Sequence, residues 1–136
     1  MPIKPAILDT DTLSELMKGN PSTVRRVEQY LKEHPKLAFT IITRYEILKG
    51  LKAKGATKQS RAFEDFCKQN IVLTLTNRAI EKASEIYADL KKRGSLLSDA
   101  DILIASIAIT EKHQLVTNNL DHFRRIPDLE LESWKD

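Results

Sequence analysis

Four short apolar runs recur along this chain, at residues 5–9, 36–42, 71–75 and 114–117, and helical patterns fill the gaps between them. That alternation constrains the fold more than any other feature. Strands joined through helices form a mostly parallel sheet, because each crossover returns the chain to the same edge. Helices then cover both faces of the sheet. The expectation is an α/β three-layer sandwich around a central sheet of four or five strands. The fifth candidate is LELES, residues 129–133, whose alternation suits an edge strand.

The helical stretches carry their own punctuation. Thr12 and Glu15 fit a capping box for a short helix that Gly19 ends. Asn20-Pro21 reads as the N-cap and first residue of a second helix, with Val24, Val27 and Leu31 as its apolar face. Thr43 and Glu46 fit another capping box, opening a helix that Gly55 ends, and KQSRAFEDFCKQ continues helically. Ile80, Ala83, Tyr87 and Leu90 mark a long helix stopped at Gly94. ILIASIAI, residues 102–109, is apolar all round, so the helix that starts near Ser98 is expected to be buried.

A length of 136 residues fits one domain, 1–136, with a real core. No apolar run approaches the roughly 20 residues of a membrane helix. The opening MPIKP lacks the basic-then-apolar pattern of an export signal. The single cysteine, Cys67, excludes an internal disulfide, and the expected location is a reducing cytoplasm. A net charge of +3 permits an anionic partner such as RNA without demanding one.

In a parallel α/β sheet, ligands bind outside the carboxyl ends of the strands. Asp9 ends the first strand, and Asp11 follows two residues later. Glu46 lies early in the helix after the second strand, and Asn118, Asn119 and Asp121 follow the fourth. Asp99 and Asp101 open the helix that precedes the fourth strand, which runs opposite to it. Acids distant in sequence therefore converge on one rim. Crowded carboxylates repel and take up protons unless a cation balances them. A hard divalent cation such as Mg²⁺ does this with one or two direct carboxylates and several waters. Such a site can polarise a phosphodiester, and the expected substrate is then a nucleic acid or nucleotide.

Plainer roles compete for each residue. Glu46 and Asp101 both stand at the third position of a capping box. Asp11 alone suits an N-cap or a supporting group, and Asp99 a solvated first-turn acid. Asp9 resists such a reading, since a carboxylate after a buried apolar strand is costly unless paired. His34, His113 and His122 have no metal-ligand spacing and read as surface or helix-end residues. Lys49, Lys52, Lys54, Lys58 and Arg61 form either a solvated helix face or an RNA-contacting patch.

Taken together, these stretches resemble the PIN-domain ribonucleases and, within them, the VapC-type toxins. ILDTDTLSEL is similar to the family's opening strand, whose first aspartate, here Asp9, is a metal ligand. TIITRYEILKGL resembles its second motif, with Thr43, Glu46 and Gly50, and LLSDADILIASIAI its third, with Asp101. LVTNNLDHFRRIPDLELESW resembles the closing segment, with Thr117, Asn119, Phe123, Pro127 and Trp134 in step. The likeness runs along nearly the whole chain. It implies an endoribonuclease dependent on Mg²⁺ or Mn²⁺, with Asp9, Glu46 and Asp101 catalytic and Asp9 and Asp101 on the metal. It also implies a homodimer and a small VapB-like antitoxin that inserts a segment into the active groove, in assemblies that can grow larger. Relatives cut transfer or ribosomal RNA. The chain departs from the family at Asp11, where Asn is frequent, at Asn119, where many members carry a fourth acid, and at the Ala105-Ser106 pair, where Ala-Ala or Ala-Gly is more usual and little effect is expected. Asn119 and Asp121, with Asp11, Thr43, Asp99 and Thr117, are expected to support the site rather than anchor it.

Other functions fit less well. A haloacid-dehalogenase-type phosphatase needs Thr or Val where Leu13 stands, and a phosphate-receiver domain needs a Lys that LELESW does not offer. A PIN-fold scaffold without activity is the alternative from another class. Retention of Asp9, Glu46 and Asp101 weighs against it.

Overall fold

A computed structural model describes residues 2–135; Met1, the first residue of the MPIKP stretch, and Asp136 lie outside the described residues. Its strands are β1 (Ala6–Leu8), β2 (Ala38–Thr40), β3 (Ile71–Leu73), β4 (Gln114–Val116) and β5 (Leu131–Glu132). Its helices are α1 (Thr10–Met17), α2 (Pro21–Leu31), α3 (Ile41–Ala53), α4 (Thr57–Gln69), α5 (Asn77–Lys92), α6 (Asp99–Thr110) and α7 (Leu120–Phe123). Every strand pairing is parallel. The hydrogen-bonded ladders are β1-β4-β5 and β2-β3, and β1 lies against β2, giving the layer order β3-β2-β1-β4-β5. The expected sheet is present, but as two short ladders side by side.

Each β1 residue chooses a face. Ala6 and Leu8 join one cluster with Leu13 of α1, Val27 and Tyr30 of α2, and Phe63 and Cys67 of α4. Ile7 joins the other with Ala83 and Ile86 of α5, Ile104 and Ala108 of α6, and Phe123 of α7. Helices therefore cover both faces, which makes this a three-layer α/β sandwich. Because both faces of β1, β2 and β4 are buried, their sequences are not alternating. No helix among the described residues is long and apolar enough to cross a membrane.

The sequence reading needs three corrections here. The second strand is shorter than 36–42, because Ile41 and Ile42 already belong to α3, whose N-cap is Thr40. The buried face of α2 is Thr23, Val27 and Tyr30, with Leu31 41% exposed. On α5 the buried stripe is Ala79, Ala83, Ile86 and Leu90, while Ile80 and Tyr87 are exposed. Both stripes are turned about one residue from the expected ones. Apolar periodicity locates a helical stripe only to that precision, and on α5 the small alanines are the residues turned to the core. The apolar helix α6 is buried as expected.

Candidate functional site

Asp9 follows β1 directly, and its backbone N–H donates to the Val116 carbonyl at 2.8 Å, at the end of the β1–β4 pairing. The next residue starts α1, so Asp9 is the N-cap, and its Oδ1 accepts the Thr10 N–H at 2.9 Å. Its Oδ2 accepts the hydroxyl of Thr117, the residue after β4, at 2.8 Å. Asp9 is only 6% exposed. Burial pushes its pKa up from 3.8 to about 7, the charge of Asp11 adds to this and that of Asp101 adds less, while the bonds from Thr117 and Thr10 oppose it. The sequence placed this cap at Thr12. Thr12 instead lies inside α1, buried, with its hydroxyl on the Val116 carbonyl at 3.2 Å. The cap moves because the chain turns from strand to helix without an intervening loop.

Glu46 is not a capping residue. Thr40 caps α3 by accepting the Thr43 N–H at 3.2 Å, and Glu46 sits in the second turn, too far on to bond the cap. Its Oε1 instead accepts the Thr10 hydroxyl at 2.7 Å. Thr10 Oγ1 also lies 3.0 Å from Thr43 Oγ1. A hydroxyl has one hydrogen and a carboxylate none, so Thr10 donates to Glu46 and accepts from Thr43. The turn after β1 and the first turn of α3 are thereby joined.

Asp101 stands on α6 as the sequence predicts. Ser98 is the N-cap, its Oγ accepting the Asp101 N–H at 3.2 Å. Burial raises the Asp101 pKa; His122 and Ser98 hold it down, while Glu46 and Asp11 push it up. Oδ2 of Asp101 lies 3.6 Å from Nδ1 of His122, and that nitrogen is 2.6 Å from the Asn119 amide nitrogen. The Asp11 carboxylate accepts the Asn118 N–H at 3.2 Å. Thr117 Oγ1 lies 2.8 Å from Asp9 but 3.5 Å from Asp11, so its one hydrogen goes to Asp9, and it accepts the Asn119 N–H at 3.0 Å.

Asp9, Asp11, Glu46 and Asp101 thus form one electrostatic group, held by Thr10, Thr43 and Thr117. Among the described residues no Lys or Arg forms an ion pair with any of the four. Asp99 and Asp121 are not part of it. Asp99 is exposed and lines a groove between α5 and α6. Asp121 has a side chain 94% exposed and pairs with Arg124 at 2.7 Å. Asn119 is brought near through Thr117 and His122. Sequence reasoning overlooked Thr10 and His122. The signal for Thr10 was its place between two acids; His122 lies three residues past Asn119, one turn along α7.

The donor set is oxygen-rich and mutually repelling, which suits a hard cation. Among the described residues no three His, Cys, Asp or Glu side chains close tightly enough to hold an ion by themselves. From the acids a groove of about 610 Å³ runs between α1, α3 and α4, past Thr10, Glu46, Met17, Leu51, Phe63 and Phe66.

Comparison with known proteins agrees with this geometry. The PIN domain family model matches residues 6–129. Ribonuclease VapC1 of Methanocaldococcus jannaschii is 32% identical over 128 residues, covering 94% of this chain and 85% of the relative. The tRNA(fMet)-specific endonuclease VapC of Salmonella typhimurium is 30% identical over 129 residues, covering 94% and 96%. Among solved structures, VapBC2 of Rickettsia felis bound to a DNA fragment from their promoter superposes with a TM-score of 0.87, at 27% identity over 96% of this chain and 98% of that one.

Proposed function

This chain belongs to the PIN-domain family, and from that premise we propose that it is the endoribonuclease toxin of a VapBC-like toxin–antitoxin pair. One observation carries the reading: Asp9 and Asp101, with raised pKa values, share the carboxyl edge of the parallel strands with Glu46 and Asp11, and no Lys or Arg is paired with them among the described residues. Relatives named ribonuclease VapC support the activity, and the VapBC complex supports an antitoxin partner.

Asp9 and Asp101 would hold Mg²⁺ or Mn²⁺, which supplies charge stabilisation at the phosphodiester and activates water. The chain's own groups do the positioning. Thr117 fixes one oxygen of Asp9 and the Thr10 N–H the other, so the carboxylate presents its remaining lone pairs in one orientation. Thr10 holds one oxygen of Glu46, leaving the other free to accept a proton from an attacking water. Asp11 is tethered to Asn118 and supports the site through its charge.

The groove beside Glu46 suits an amphipathic antitoxin segment, with Met17, Leu51, Phe63 and Phe66 for its apolar face. An Arg or Lys reaching its acidic end would neutralise the carboxylates much as a cation does. Exposed Ile80, Tyr87 and Leu96 offer an apolar surface for a homodimer. The test is purified protein incubated with RNA, with and without EDTA, and with and without the product of the neighbouring gene. Metal-dependent cleavage suppressed by that product supports the reading. Full cleavage in EDTA overturns the metal mechanism, and a neighbour that leaves cleavage unchanged overturns the pairing.

A further inference from the structure

On the other flank of the α3–α4 contact lies a second cavity, of about 590 Å³. Arg44 and Lys52 of α3 and Arg61 and Lys68 of α4 line it, against Glu64 and Asp65. Arg44 and Glu64 satisfy each other through a two-pronged bond, at 2.9 Å from Nε and 2.7 Å from the terminal nitrogen. Lys52 and Lys68 also feel the charge of Glu64, but Lys52, Arg61 and Lys68 form no ion pair among the described residues.

Two further features of the same cavity call for an anion. Ser60 lines it, is only 9% exposed, and its Oγ is buried with no hydrogen-bond partner. A buried hydroxyl left unpaired is rare and calls for a missing partner. The 13-residue helix α4 also begins here, at Gly55, Ala56 and Thr57; its N-cap Ala56 offers no side-chain acceptor, and the Thr57 N–H donates to the Gly55 carbonyl at 2.9 Å. The positive end of the α4 dipole therefore lies at this cavity and favours an oxyanion.

We propose that this cavity is a phosphate subsite that holds a backbone phosphate of the RNA, away from the bond being cut. The proposal rests on the nuclease reading above. Lys52 lies six residues beyond Glu46 on the same helix, about 9 Å along its axis at 1.5 Å per residue. Six residues also turn the side chain about 120° around the axis, so one strand that bends over α3 can engage the acids and the cavity together. Phosphate contacts fix register without reading sequence, so the subsite contributes affinity rather than base preference.

The test measures binding of a mixed-sequence single-stranded RNA by fluorescence anisotropy, in an Asp9→Asn background, across a salt series. Lys52→Ala/Arg61→Ala is expected to bind roughly tenfold more weakly, and losing one phosphate contact lowers the salt slope by about 0.7. In the active protein the same pair should raise KM for RNA and leave kcat unchanged. Ser60→Ala should melt at the same or higher temperature, because it removes an unpaired donor, yet bind RNA more weakly. Affinity and slope equal to those of a Lys91→Ala control on α5 would overturn the subsite while leaving the nuclease reading intact. So would weaker antitoxin binding with unchanged RNA affinity, which would give the cavity to an acidic protein segment. Wild-type protein that neither binds nor cuts RNA would sink both.

Discussion

Thr43-x-x-Glu46 and Ser98-x-x-Asp101 are the same pattern in the sequence, yet only the second becomes a helix start. At α6 the serine caps and Asp101 occupies the third helical position. At α3 the cap moves to Thr40, Thr43 takes the third position, and Glu46 is released into the second turn. Two apolar residues cause the difference. Ile41 and Ile42 extend the strand pattern by eye but are wound into the helix, since the strand has all its partners by Thr40. The two acids reach one site by different routes: Asp101 from a capped first turn, Glu46 from the turn beyond. A capping motif therefore reports that a helix begins nearby, and not which of its acids is spare for chemistry.

The sharpest way to break the comparison is to remove the charge that both acids surround. Asp9 has a folded pKa of about 7 against 3.8 for the free side chain, so its contribution to stability is full below 3.8 and is lost as pH rises to about 7. At pH 8 without metal, ionised Asp9 should therefore cost about 4 kcal/mol. Asp9→Asn should raise the melting temperature of metal-free protein at that pH and abolish cleavage; thermal melts from pH 4 to 8 check the first, an RNA assay the second. A flat pH profile for the wild type would contradict the burial argument.

Next in size are the two acids themselves. Asp101→Asn and Glu46→Gln should each lose more cleavage than the roughly 10- to 100-fold typical of a supporting group. They should part company in thermal melts. Glu46→Gln should leave the melting temperature nearly unchanged, because Glu46 caps nothing. Asp101→Asn should raise it slightly near neutral pH without metal, since burial makes the ionised Asp101 unfavourable in the folded state. A Glu46→Gln loss as large as that of a cap would restore the capping box.

Caps come next. Thr40→Ala and Ser98→Ala should each cost about 1 kcal/mol by denaturant titration. Thr43→Ala should cost less stability and more cleavage, because its hydroxyl serves the Thr10–Glu46 chain. If Thr43→Ala destabilised more than Thr40→Ala, the cap would have been misassigned.

The smallest effects fall at the fourth position. Asn119→Ala should weaken cleavage several-fold through Thr117 and His122, and extra Mg²⁺ should partly rescue it. Asp121→Ala should stay within about twofold, because its carboxylate faces solvent beside Arg124. Parallel rate measurements at saturating metal separate the two.

The sequence by itself determined the α/β alternation, the order of the elements, the burial of α6 and the rim on which the acids gather. Those follow from short-range pattern and from the rule that parallel strands deliver their carboxyl ends to one edge. It also singled out Asp9 after an apolar strand, but not that Asp9 would cap α1 as well as carry a buried carboxylate. Tertiary structure decided the rest. Which residue caps α1 and α3 depends on where each strand runs out of partners, and which stripe of α2 or α5 is buried depends on the surface it meets. Asp121, with charge in its favour, is turned to solvent, and Thr10, with none, is drawn between Asp9 and Glu46. A side chain's direction at a turn is set by contacts with residues over a hundred positions away, as Thr117 is to Asp9, and no local pattern encodes those contacts.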